Sequence, residues 1–326
     1  MTTDVIERPG RLCPMAYRYA ADVFVRPPEL ESETLYVIGG LYGNRFALDA
    51  VEGLARREPI RPTLIFNGDF HWFDVQPAIF AEIHQRVLDH VALRGNVETE
   101  LASDDATAGC GCAYPEQVSD DEVARSNQIM VGLHDTAQRA LAEARTALIG
   151  LPMHLLAQVG NARIGIVHGD ATNLAGWDFS REQLDDPSRR ALNEQIFRKS
   201  EVTLFASAHT CLPVLRRFRM SGKECGVINN GAAGMPNFSA TRHGVFSRIG
   251  LTPAPAFLPV LAERVFHVDG QDLYAAAIAL EYNHAGWLKQ FTTDWPAGSP
   301  AQMSYRDRIL NGPAYTMAQA YPPDFK

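Results

Sequence analysis

The chain has 326 residues, enough for one large α/β domain or two modest ones. Its formal charge of −8 leaves no electrostatic footprint for nucleic acid or an anionic membrane, and no apolar run approaches the ~18 residues of a membrane span. Five cysteines, an odd number in a long chain, point to a reducing cytoplasm rather than a disulfide framework, and the opening MTTDVIERPG lacks the apolar core of a signal peptide.

Residues 1–32 read as an arm packed on the main body, because Cys13-Pro14-Met15-Ala16-Tyr17-Arg18-Tyr19 is too aromatic for a free tail and too short for a domain. Thr34–Ile38 reads as a buried strand that runs into Gly39-Gly40-Leu41-Tyr42-Gly43-Asn44. A helix follows, with Phe46, Ala47, Val51 and Leu54 on one face. Strand, glycine-rich turn and helix is a frame for anion binding, but the spacing matches neither a P-loop nor a dinucleotide fingerprint. A second short apolar run, Pro62-Thr63-Leu64-Ile65, leads to Phe66-Asn67-Gly68-Asp69-Phe70-His71. A strand ending there aims the Asp69 carboxylate at a sheet edge, where it serves as a metal ligand or base; the alternative is a carboxylate that caps the next turn. Asp74 and Pro77 start a helix with Phe80, Ile83, Val87 and Val91 on one face and His84 and His90 on its solvated side. That helix is expected to end at Leu93-Arg94-Gly95-Asn96-Val97-Glu98, with Asn96 in the loop.

Residues 99–117 are acidic and small, and contain Gly109-Cys110-Gly111-Cys112. Ser119-Asp120-Asp121-Glu122 has capping-box spacing, and Val123, Met130, Leu133, Ala137, Leu141 and Leu148 predict one long helix over about 119–149, closed by Pro152. Leu155–Val159 and Ile164–Val167 form a hairpin turning at Gly160-Asn161, and its second strand ends in His168-Gly169-Asp170. Ser180 and Gln183 open a helix to about Arg198. Val202–Ser207 is strand-like and ends in Ala208-His209-Thr210-Cys211. Val214–Phe218, Gly226–Asn229 and Gly244–Ile249 are further strands, with a tight loop at Asn229-Asn230-Gly231-Ala232-Ala233-Gly234. From Trp287 onward the chain is rich in Pro, Gly, Tyr and Trp with little periodicity, so 286–326 reads as an extension wrapped over the body, its Trp287 and Trp295 either packing or shaping a pocket.

Three strand-like runs therefore end at or near Asp69, His168 and His209, and Asn96 joins them from a loop. Residues just past strand ends of an α/β sheet meet in one crevice. An Asp, Asn, His, His set suits one divalent transition metal, Zn²⁺, Mn²⁺ or Fe²⁺, better than Ca²⁺ or Mg²⁺.

Taken in order, Gly40-Leu41-Tyr42-Gly43-Asn44, Gly68-Asp69, Gly95-Asn96-Val97-Glu98, His168-Gly169-Asp170 and Ala208-His209-Thr210-Cys211 resemble the calcineurin-like metallophosphoesterase family. Its motifs run D-x-H-G-N, G-D, G-N-H-D/E, a lone H and G-H-x-H, and Asn230-Gly231-Ala232-Ala233-Gly234 resembles its closing N-P-G-S-x-G loop. The resemblance covers about 33–285, with a mostly helical insertion at about 99–150. It implies an α/β fold of two facing mixed β-sheets flanked by helices in four layers. It also implies a metal on Asp69, Asn96, His168 and His209. The ligands of the family's other metal fall on Gly40, Tyr42, Asp69 and Cys211, so three of those four are replaced, and the pattern favours a single-metal protein. The implied activity is hydrolysis of a phosphoester in a small soluble molecule; a non-catalytic binding protein is the rival. Val97 stands where the family carries a histidine proton donor, which leaves His71 and Glu98 as candidate acids. Asn44, Asn229 and Asn230 flank the implied crevice as substrate or supporting contacts. Tyr42 and Cys211 either fill the vacated site, hold a ferric or soft metal, or join covalently. Cys110 and Cys112 are either structural or a metal-binding pair in a lid.

Overall fold

The computed structural model describes residues 8–11, 13–103, 108–140 and 143–323. The first third carries strands β1 (Leu30–Glu31), β2 (Thr34–Ile38), β3 (Thr63–Asn67) and β4 (Val91–Leu93), with helices α1 (Arg45–Ala55), α2 (Pro77–Leu88) and α3 (Asn96–Ala102). The middle holds α4 (Asp120–Ala140), α5 (Ala144–Ile149), the hairpin of β5 (His154–Val159) and β6 (Ala162–Val167), α6 (Arg181–Asp185), α7 (Arg190–Ser200) and β7 (Leu204–Ser207). The remainder comprises β8 (Pro213–Met220), β9 (Lys223–Asn230), β10 (Gly244–Gly250), β11 (Val260–Val268) and β12 (Gln271–Leu280), then α8 (His284–Asp294), α9 (Pro300–Asn311) and α10 (Met317–Ala320).

These strands form two mixed sheets, ordered β1-β5-β6-β7-β9-β8 and β11-β12-β10-β2-β3-β4. In the first, β6, β7 and β9 run parallel; in the second, β2, β3 and β4 do. The central strands are apolar on both faces, which is why they read as continuous runs rather than alternating ones. Leu35, Val37 and Ile65 meet Ile164, Ile166, Leu204 and Ala206 between the sheets. The alternate residues Tyr36, Ile38, Leu64 and Phe66 face outward onto α1 and α2. On the far side, Phe205 and Val227 pack against Ile196 and Phe197 of α7. The result is the four-layer α/β sandwich expected from sequence. No helix of the described residues is long and apolar enough to cross a membrane.

Several local expectations are corrected. The helix of 77–93 stops at Leu88, and Val91–Leu93 extends the second sheet beside β3, so Asn96 opens α3 directly after a strand. His84 is buried, not solvated: its ring stacks beside His71 and Phe80. His90 lies just past α2. The helix of 119–149 is two helices, and Arg145 of the second donates to the Ala102 carbonyl at 2.8 Å, which turns α5 toward α3. Leu141 lies outside the described residues. The helix of 180–198 breaks at Asp186-Pro187, where proline has no N–H to continue the ladder and forces an extended residue before it. The β11–β12 hairpin turns on Asp269-Gly270, both at positive φ, an Asp-Gly hairpin signal present in the sequence and not used above.

Beyond residue 283 the described chain carries the three helices α8, α9 and α10. Trp287 and Phe291 of α8 and Ile309 of α9 enter the same core as Tyr42, Phe73 and Phe80. Trp287→Ala is therefore expected to destabilise the protein by about 3–5 kcal/mol, measured as a shift in urea midpoint. A shift below 1 kcal/mol would mean that α8 is an appendage rather than core.

Candidate metal centre

Asp69, Asn96, His168 and His209 come together, two from each sheet. Asp69 and Asn96 follow β3 and β4; His168 and His209 follow β6 and β7. Two glycines make this approach possible. A Cβ on Gly95 would lie 2.3 Å from Asp69 Oδ1, and one on Gly68, already at φ +75°, would lie 2.6 Å from His168 Nδ1. Asp69 itself adopts a left-handed backbone, φ 53°, as do Tyr42 and Cys211 at 54° and 57°. Non-glycine residues rarely take that conformation, and here three of them turn strand-end loops into the same space.

All four side chains are tied by one end and present a lone pair at the other. Asn96 Nδ2 donates to the Cys110 carbonyl at 2.8 Å, leaving Oδ1 inward. His168 Nδ1 donates to the Asn67 carbonyl at 2.9 Å, and His209 Nε2 to the Cys112 carbonyl at 3.0 Å. These main-chain partners assign the tautomers and leave His168 Nε2 and His209 Nδ1 unprotonated in the neutral rings. The Val97 amide donates to Asp69 Oδ1 at 3.2 Å. Around His168 Nε2 the inward atoms are then Asp69 Oδ2 at 3.3 Å, Asn96 Oδ1 at 3.2 Å and His209 Nδ1 at 3.2 Å. Facing lone pairs at these separations repel unless a positive charge sits among them. Ligands of a tetrahedral ion with bonds near 2.0–2.1 Å lie about 3.3 Å apart, so the donor set fits a divalent transition metal.

The electrostatics agree. Burial alone would raise the Asp69 carboxyl, but His168 outweighs it and holds Asp69 below the usual carboxylate range. Burial, the largest influence on His168, would lower it, but Asp69, the Asn67 carbonyl and Glu98 together raise the imidazole. Burial, then His168, pushes His209 down to about 3, which keeps it a neutral ligand.

The centre opens on a cavity of about 380 Å³. Asp69, Asn96 and His209 lie on its lining, and Trp72, Tyr114, Trp177 and Tyr305 supply its aromatic walls. Tyr42 and Cys211 also line it, with the phenol oxygen and the sulfur 2.8 Å apart in a hydrogen bond. Burial raises both pKa values, so the pair is a neutral phenol and thiol.

Other candidates from sequence have different work. Glu98 does not line the cavity. It accepts from the amides of Asp69 and Gly95 at 2.8 Å, Phe70 at 3.0 Å and His71 at 3.3 Å, a carboxylate that holds the Asp69 turn in shape. His71 is fully buried with Nδ1 2.5 Å from Asp74 and its ring stacked on Phe80 at 3.8 Å, so it cannot reach a leaving group. Asn44 is the N-cap of α1, accepting from Phe46 and Ala47, while its amide donates to Gly234. Asn230 ties Gly39 to Val245, and Asn229 donates to Thr210, which does line the cavity. These asparagines staple the loops rather than face a ligand. The Cys110 and Cys112 contribution is their carbonyls, which orient two metal-ligand candidates. Trp287 and Trp295 pack in the core instead of forming the pocket.

No protein-family model matches this sequence, and no curated protein matches it. Solved structures do. A metallophosphoesterase from Sphaerobacter thermophilus superposes with a TM-score of 0.53 at 17% identity, over 86% of this chain and 100% of that one. The chain has the calcineurin-like metallophosphoesterase fold. A hypothetical protein from Pyrococcus horikoshii OT3 aligns on the same fold with a TM-score of 0.57 at 18% identity, over 86% of this chain and 99% of that one. The metallophosphoesterase sandwich thus places its strand ends so that an acidic and imidazole cluster, Asp69, His168 and His209, is buried together, a possible metal site.

His84 gives a test of the buried network behind Asp69. Burial, then His71, lowers its pKa from 6.5 to about 4. A folded-state pKa below the unfolded one contributes stability that is present above pH 6.5 and lost as pH falls toward 4. Melting temperature followed from pH 7 to 4 is expected to fall less steeply in His84→Phe than in wild type. Parallel curves would show that His84 titrates as a solvated group.

Proposed function

We propose that this protein is a metal-dependent phosphoester hydrolase, a phosphatase or phosphodiesterase, acting on a small soluble phosphorylated molecule through a single metal site. The observation that carries this reading is the convergence of four acceptors, Asp69 Oδ2, Asn96 Oδ1, His168 Nε2 and His209 Nδ1, on one point beside a cavity. The fold, shared with a protein described as a metallophosphoesterase, supports the reaction class. A divalent transition metal at this point supplies a Lewis acid for a phosphoryl oxygen and lowers the pKa of water toward ~7.

The chain's own residues do the rest. Asn67, Cys110 and Cys112 carbonyls fix the ligand tautomers and rotamers, so no reorganisation is needed when charge develops. Glu98 fixes the backbone that delivers Asp69. Trp72, Tyr114, Trp177 and Tyr305 give the cavity aromatic walls against which a substrate can pack. The single-metal reading is supported by the Tyr42–Cys211 hydrogen bond, in which the phenol and the thiol are engaged with each other.

Elemental analysis of protein purified without chelator is expected to give about one transition metal per chain, lost in His168→Ala, with aryl phosphate turnover falling at least ~100-fold. Two metals per chain would make Tyr42 or Cys211 a ligand. Retained metal with no turnover on any generic phosphoester would replace the hydrolase with a binding protein.

A further inference from the structure

The cavity beside the metal-ligand candidates carries, among its described lining residues, a single Lys or Arg: Arg308 of α9. Its guanidinium is fixed from one side by main-chain acceptors. Nη2 donates to the Cys211 carbonyl at 2.6 Å, and Nε donates to the Pro236 carbonyl at 3.2 Å. Cys211 is two residues past His209, so the arginine is registered to the loop that delivers a metal-ligand candidate. Nη1 has no hydrogen bond to a described residue, and Arg308 forms no ion pair with one. The two buried arginines differ: Arg216 pairs with Asp185, and Arg248 with Glu58.

A guanidinium held by neutral carbonyls keeps its full charge and has donors left for an anion. Arg308 shares the cavity lining with Tyr42 and Cys211. An arginine also matches the planar oxygens of a phosphoryl group better than a lysine does.

Resting on the hydrolase reading above, we propose that Arg308 is the phosphoryl-binding residue of this site. It takes a non-bridging oxygen of the substrate's phosphoryl group through its unengaged nitrogen, beside the metal-ligand cluster on the same cavity. The C-terminal helix α9 is then part of the substrate site.

The test uses full-length protein loaded with Zn²⁺ or Mn²⁺ and inorganic phosphate as the probe, by titration calorimetry. Arg308→Gln is expected to bind phosphate at least about tenfold more weakly than wild type with unchanged metal content, and Arg308→Lys to fall between. Because Arg308 also anchors Cys211 and Pro236, a second measurement avoids mutation: phenylglyoxal modification of Arg308 in wild type, mapped by mass spectrometry, is expected to be slowed by phosphate. Wild-type phosphate binding that is equal in Arg308→Gln, or Arg308 labelling unaffected by saturating phosphate, overturns the assignment and leaves the hydrolase intact. A metal-loaded wild type that neither binds phosphate nor turns over aryl phosphates overturns both.

Discussion

The structure around the centre depends on one constraint: four lone pairs directed at one another inside a protein, each held there because the other end of its side chain is already bonded. Such an arrangement is unfavourable by itself. It persists because the main chain over-determines it, with carbonyls of Asn67, Cys110 and Cys112 fixing three of the four groups and the Val97 amide the fourth. Everything nearby serves that geometry. Gly68 and Gly95 clear the space, Glu98 gathers four amides beneath Asp69, and Asn229 and Asn230 clamp the closing loop. The left-handed backbones of Tyr42, Asp69 and Cys211 are part of the same design, since each turns a loop sharply at a strand end.

The segments outside the regular sandwich are joined to it closely. The arm donates Tyr19 Oη to the Asp170 carbonyl at 2.7 Å, and Tyr17 pairs with Glu100 of α3. The insertion supplies the two carbonyls that orient Asn96 and His209, together with Tyr114 on the cavity wall. The C-terminal helices contribute Trp287 to the core and Tyr305 to the cavity. The cavity is therefore bounded by pieces far apart in sequence.

This division also explains what was legible in the sequence. Asp69, His168 and His209 could be read because each follows a short apolar run, and a strand end is a physical address. Asn96 was legible as a residue but not as a place, because Val91–Leu93 is too short a strand to separate from the helix before it. The break at Pro187 and the turn at Asp269-Gly270 carried usable signals in proline and glycine chemistry. His84 misled for a tertiary reason: a polar residue on an amphipathic helix is assigned to water unless the partner that buries it, here the His71 and Phe80 rings, is already known. The acceptors from Cys110 and Cys112 had no signature at all, because every residue has a carbonyl. His71 and Glu98 drew attention as titratable groups near Asp69, but Glu98 is spent on the amides of the Asp69 turn and His71 is buried against Asp74 and Phe80.

The ligand candidates are split evenly between the sheets, Asp69 and Asn96 from one, His168 and His209 from the other. An ion bound by all four would be a further cross-tie between two layers already joined by apolar contact and by hydrogen bonds such as His168 Nδ1 to the Asn67 carbonyl and Asn230 Nδ2 to the Gly39 carbonyl. Occupancy then couples to the whole molecule by mass action, with each tenfold rise in free ion above its dissociation constant adding about 1.4 kcal/mol to the folded state. On the reading of a bound ion, the sandwich would report the ion's supply: scarcity would lower the abundance of intact protein.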